Sequence, residues 1–141
     1  MTPLEALQAT LAGEHAAVYV DGAIGGRVSV STAPDLANLV TAAYTTHRGR
    51  RDQLTAMVRA AGGSPVAADL SYQLPNSAKT AGQQAAAALE IERRCAAVYA
   101  EMVGSTVQSN RLWAIDALTD AAVRQLGFGG TPEVFPGIPE L

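Results

Sequence analysis

The chain has 141 residues, a net charge of −3 and a single cysteine. Its length suits one domain with a continuous core, and with no run of Lys or Arg it lacks the electrostatic footprint of a nucleic-acid binder. The lone Cys95 excludes an internal disulfide and a cysteine-based zinc site. Alanine is abundant and only 5% of residues are aromatic, which favours an all-α fold with closely approaching helices.

The first helix is predicted over 3–28. Thr2 as N-cap, Pro3 at the first helical position and Glu5 three residues past the cap form a capping-box signature. Leu4, Leu7, Leu11, Glu14, Val18, Gly25 and Val28 lie on one seam, so Glu14 falls on a side that should be buried. A buried carboxylate needs a cation, a metal or a donor opposite it. Thr32-Ala33-Pro34-Asp35 repeats the cap and proline logic for a second helix over 34–61, whose stripe of Leu36, Val40, Ala43, Leu54 and Met57 has His47 at its centre.

Gly62-Gly63-Ser64-Pro65 ends that helix. Residues 62–76 carry Pro65 and Pro75 and no periodicity, a connection long enough to cross a bundle from end to end. A third helix is predicted over 77–103 from Asn76-Ser77, with Glu92 near its middle. The fourth spans 106–126, starting from a Ser105–Gln108 capping box, with Leu112, Ile115, Leu118, Ala122 and Leu126 as its apolar face and Asp116 and Asp120 near its centre. Glycines and prolines make 127–141 an extended tail, with Phe135 and Ile138 as candidates to pin it. No apolar run approaches the roughly 20 residues of a bilayer span, and Met1-Thr2-Pro3 leads into no signal-peptide pattern, so the expectation is a cytoplasmic protein.

Each helix thus places a metal-capable or ionisable side chain near its midpoint, and midpoints of antiparallel helices meet at one level. Glu14, His47, Glu92 and Asp116 or Asp120 are expected to converge, either on a metal or on an ion-pair layer with arginines such as Arg50, Arg51 and Arg124. Tyr19, Tyr44 and Tyr99 lie near that level with hydroxyls suited to satisfying buried carboxylates.

The stretches Gly13-Glu14-His15-Ala16-Ala17-Val18-Tyr19, His47-Arg48-Gly49-Arg50-Arg51-Asp52, Glu92-Arg93-Arg94-Cys95-Ala96-Ala97-Val98-Tyr99 and Ala117-Leu118-Thr119-Asp120-Ala121-Ala122, with the Phe135-Pro136-Gly137 tail, carry a family resemblance. Together they resemble an alanine-rich ferritin-like family of unknown function from high-GC bacteria. The resemblance implies a ferritin-like, left-handed four-helix bundle with a long crossover between helices two and three. Di-iron members of that superfamily use Glu-x-x-His on two helices. This chain has no Glu-x-x-His: Tyr44 precedes His47 and Thr119 follows Asp116 at that spacing.

Two readings follow. In the first, the protein is non-enzymatic, and Glu14, His47, Arg51, Glu92, Asp116 and Asp120 form a central polar network in place of a di-iron centre, with no cofactor and no nucleic-acid or membrane partner. Its alanine-rich outer faces would then pack in a homodimer. In the second, Glu14, His47, Glu92 and Asp116 hold one iron, manganese or zinc ion, with weak redox activity. A small-molecule pocket between the helices is a third possibility.

Overall fold

The computed structural model describes residues 1–138. Four helices, α1 (Pro3–Gly25), α2 (Pro34–Ala60), α3 (Ala81–Ser105) and α4 (Gln108–Gly127), account for its regular structure, and there is no strand among the described residues. None of the helices is long and apolar enough to cross a membrane.

The Thr2 capping box forms as expected: the Glu5 amide donates to Thr2 Oγ1 and the Thr2 amide donates to the Glu5 carboxylate at 2.7 Å. The other boundaries shift for local reasons. α1 stops at Gly25 because consecutive glycines favour a turn over a further helical one, although Val28 stays buried. At α2 the N-cap is Ala33, and Thr32 supplies no side-chain cap. α3 starts four residues later than Ser77, because Thr80 and Gln83 form their own capping box. Gln83 Oε1 also collects the Lys79 amide and the Ser77 hydroxyl, folding 77–80 into the lead-in. α3 runs on through Gly104 to Ser105, two residues past its predicted end, and no Ser105–Gln108 box forms. Thr106 turns its hydroxyl back to the Met102 carbonyl at 2.7 Å and ends the helix.

α1 packs on α2 and on α3, and α3 packs on α4. Thr10 meets Met102, Gly13 faces Val98, and Gln84 Nε2 donates to the Arg27 carbonyl, so α1 and α3 are antiparallel. The crossover must therefore climb the length of α1. After Gly62, whose φ of +80° suits a residue without a side chain, Gly63 lies on Leu4. Gln8 then bonds both Ser64 and Val66, His15 Nε2 donates to the Val66 carbonyl at 3.0 Å, and Tyr72 packs on Tyr19 with ring centroids 5.5 Å apart. The resulting order is up, down, down, up.

The core has two apolar clusters. One, at the α1 C-terminal end, gathers Val20, Ile24, Val40, Ile91 and Phe128 among others; the second, at the other end, gathers Leu7, Leu11, Leu54, Val58 and Met102. Between them lies a polar layer.

The face of α4 differs from the one its large residues suggest. The buried positions are Ala114, Ala117, Ala121 and Gln125, whereas Leu112, Ile115, Val123 and Leu126 are exposed. Three alanines let α3 and α4 approach closely, and of the predicted stripe Leu118 alone packs partly buried on the core while its large neighbours are turned outward. The tail also seats differently: Phe135 and Ile138 are more exposed than buried-side anchors would be, and Gly137, at φ +77°, lies against the Ala96 carbonyl with no room for a Cβ. Pro139, read as part of the tail, lies outside the described residues.

Candidate functional site

The polar layer centres on His47, which is fully buried. Its Nδ1–H donates to Glu14 Oε2 at 2.7 Å, and its Nε2–H donates to Glu92 Oε1 at 3.1 Å. α1 and α3 thus each present one carboxylate to opposite edges of the α2 imidazole. Burial alone would lower the His47 pKa; the hydrogen bonds and charges of Glu14 and Glu92 outweigh it and hold the ring at about 10. His47 is an imidazolium at neutral pH.

The second oxygen of Glu14 accepts the Tyr99 hydroxyl, which in turn accepts from Arg50 Nη1 at 3.2 Å. Arg50 lies over the Tyr99 ring, 5.2 Å from its centroid, and its Nη2 donates to Asp120 Oδ2 at 2.6 Å. The same oxygen takes Arg124 Nη2 at 2.6 Å, and Arg124 Nε stands 3.3 Å from Glu92 Oε1. A chain of alternating charge therefore runs from Glu14 through α2 and α4 back to Glu92.

Of the residues expected here, Glu14, His47 and Glu92 meet directly, and Asp120 joins through Arg50 and Arg124. Arg51 does not. The buried stripe of α2 runs Val40, Ala43, His47, Arg50, Leu54, so the residue one turn from His47 is Arg50; Arg51 points outward to Asp52 at 2.8 Å. Asp116 is exposed as well, because the buried side of α4 is the alanine side. Tyr19 and Tyr44 stay outside the layer: Tyr19 carries Tyr72, and Tyr44 carries the Arg48 guanidinium and packs over Gly22.

One member has no counterpart in the sequence reading. Asp21, two turns after Glu14, is buried with Oδ2 3.8 Å from His47 Nε2 and without a hydrogen-bond partner. Its heptad spacing from Glu14 was the available signal. Burial raises its pKa to about 7, against the opposing pull of His47. The second oxygen of Glu92 also lacks a partner. Two triads, Asp21-His47-Glu92 and Glu14-His47-Cys95, bring one potential metal donor apiece within 4.8 Å of one another. Burial holds the Cys95 thiol protonated, well above the ordinary thiol range.

These features define a helical domain with a buried acidic, histidine and arginine layer between two apolar clusters. The chain belongs to the family described as domain of unknown function (DUF4439), whose model matches residues 6–140. It is similar in structure to a conserved hypothetical protein, rv2844, from Mycobacterium tuberculosis, with 30% identity and a TM-score of 0.82 over 90% of this chain and 94% of that one. A search of curated proteins finds no match.

Proposed function

We propose that this chain is a non-enzymatic scaffold of ferritin-like, left-handed bundle topology whose centre is a charge-balanced polar network without a metal. The observation that carries the reading is His47: both ring nitrogens are committed as donors to carboxylates. An imidazole that binds a metal must be neutral and offer a lone pair. The bonded charges also balance without an ion, since Glu14, Glu92 and Asp120 face His47, Arg50 and Arg124, and the balance is complete when Asp21, with its pKa raised to about 7, holds its proton. The up, down, down, up order with a crossover along α1 supports the ferritin-like topology. The donor set does not fit a di-metal centre, having one histidine, a guanidinium beside Glu92 and no inward carboxylate from the alanine side of α4.

One observation favours a second reading, a mononuclear iron, manganese or zinc site. Asp21 Oδ2 and Glu92 Oε2 are buried and unpartnered beside His47, with Asp21 standing where Asp116 was expected. Such a site requires His47 to lose a proton. Elemental analysis of protein purified without chelator, with thermal melts with and without EDTA, separates the two. The network reading expects no stoichiometric metal and no effect of EDTA; one ion per chain whose removal lowers the Tm overturns it.

The outward stripe of α4 supports a homodimer. Leu112, Ile115, Thr119, Ala122, Val123 and Leu126 form an outward, largely apolar stripe at heptad-like spacing, with the exposed Asp116 one heptad before Val123 as its charged edge, and the stripe suits an antiparallel pairing with its own copy. Val134 lies beside the stripe and extends its exposed apolar surface. Sedimentation should give a dimer for the native chain and a monomer for Leu112→Glu with Val123→Glu; a native monomer refutes the pairing.

A further inference from the structure

On the crossover side of the molecule a cavity of about 310 Å³ lies between α1, α3 and the arching segment, with Cys95 standing between it and the polar layer. Ala16, Val20, Ile91 and Val98 wall it, with the inert Cys95 at its floor. Its space comes from small residues on α1, for a Cβ at Gly13 would stand 3.3 Å from Val98 Cγ2. Tyr72 and Gln73 roof it. The roof is fixed rather than draped: His15 ties down Val66, Tyr72 packs on Tyr19, and the Asp69 amide donates to the Tyr72 hydroxyl at 2.9 Å. The triplet Gly13-Glu14-His15 thus serves three ends at once, opening the cavity, feeding the polar layer and seating the crossover.

Arg94 stands at the rim. Its Nε is held by Glu90 at 2.9 Å, and among the described residues its two Nη groups have no partner. The Glu90 pair is largely exposed and so of little energetic weight, which leaves the guanidinium open to a competing carboxylate. Apolar walls of this size with one cation at the mouth match a compact apolar body bearing a single anionic end.

We propose that this cavity binds a small amphipathic monocarboxylate, its apolar part against Ala16, Val20, Ile91 and Val98 and its carboxylate on Arg94. The inference is independent of whether the polar layer holds a metal. Calorimetric titration with octanoate, and with 1-octanol as the uncharged probe, tests it. One octanoate should bind per chain. Arg94→Gln should weaken octanoate about tenfold and leave octanol unchanged, and Glu90→Gln should tighten octanoate by removing a like charge. Ala16→Leu should abolish both by filling the space. Methyl chemical-shift changes at Val20, Ile91 and Val98 in the unsubstituted chain locate the ligand whether or not the Ala16 variant folds. The proposal is overturned by the absence of saturable octanoate binding, by shifts confined to other methyls, or by equal losses of octanoate and octanol in Arg94→Gln.

Discussion

Asp21 Oδ2 stands 3.8 Å from His47 Nε2 and makes no hydrogen bond to it, because that N–H is already given to Glu92. Asp21 is thus, with the second oxygen of Glu92, an unsatisfied acceptor of the layer, and its burial raises its pKa from 3.8 to about 7. The folded state binds a proton more tightly here than the unfolded chain, so Asp21 lowers stability as pH rises from about 4 to about 7, and its full cost persists above that. Asp21→Asn is expected to raise the unfolding free energy read from urea denaturation at pH 8 by up to about 3–4 kcal/mol, with the gain vanishing near pH 4. A gain that does not depend on pH would refute this account.

His47 works in the opposite direction. Its pKa is held at about 10 against 6.5 in the unfolded chain, so its stabilising effect is complete below pH 6.5 and lost as pH climbs through 10. His47→Gln leaves Glu14 and Glu92 facing each other without the intervening cation. The expected cost is about 3–5 kcal/mol near pH 6, shrinking towards pH 10. Denaturation curves of the two chains at both pH values check it.

Arg50 and Arg51, adjacent in sequence, should differ sharply. Arg50→Ala removes a donor to Tyr99, a bond to Asp120 and the stacking on the Tyr99 ring, a loss of about 2–3 kcal/mol. Arg51→Ala removes a surface pair with the exposed Asp52 and should stay within about 0.5 kcal/mol. Equal effects in thermal melts would place Arg51 in the layer after all.

Gly137 tests the seating of the tail. Its left-handed backbone and its contact with the Ala96 carbonyl leave no place for a methyl group. Gly137→Ala is therefore expected to lift the tail from α3 and speed proteolytic cleavage after Gly127, while the cooperative melt of the helices moves little. Unchanged cleavage would mean the tail is held elsewhere.

The helix count, the crossover and the Glu14, His47 and Glu92 positions were legible in the sequence because each long apolar stripe carries one conspicuous polar intruder. The failures have a common physical origin. On α4 the large leucines advertise a face, yet the contact with α3 is made by alanines, whose small size gives closeness rather than a strong hydropathy signal. On α2 a shift of one residue separates Arg50 from Arg51, and only packing fixes the phase. Asp21 was hidden by its own class, since an aspartate among glycines near a helix end reads as a terminus.

The α2–α4 edge differs in kind from the other sides of the molecule. α1 lies close against α3, whereas α2 and α4 reach each other through long side chains: Arg50 to Asp120, Arg124 to Thr46 and Trp113 to Gln53. The molecule is thus bound like a book, with its spine at α1 and α3 and a clasp at the fore-edge. The spine is mainly apolar packing with the Tyr99–Glu14 bond inside it, and the clasp is polar, its one ion pair closing on a half-exposed Asp120. Added salt should therefore weaken the fore-edge more than the spine, and only as far as the half-exposed Asp120 lets ions reach the pair.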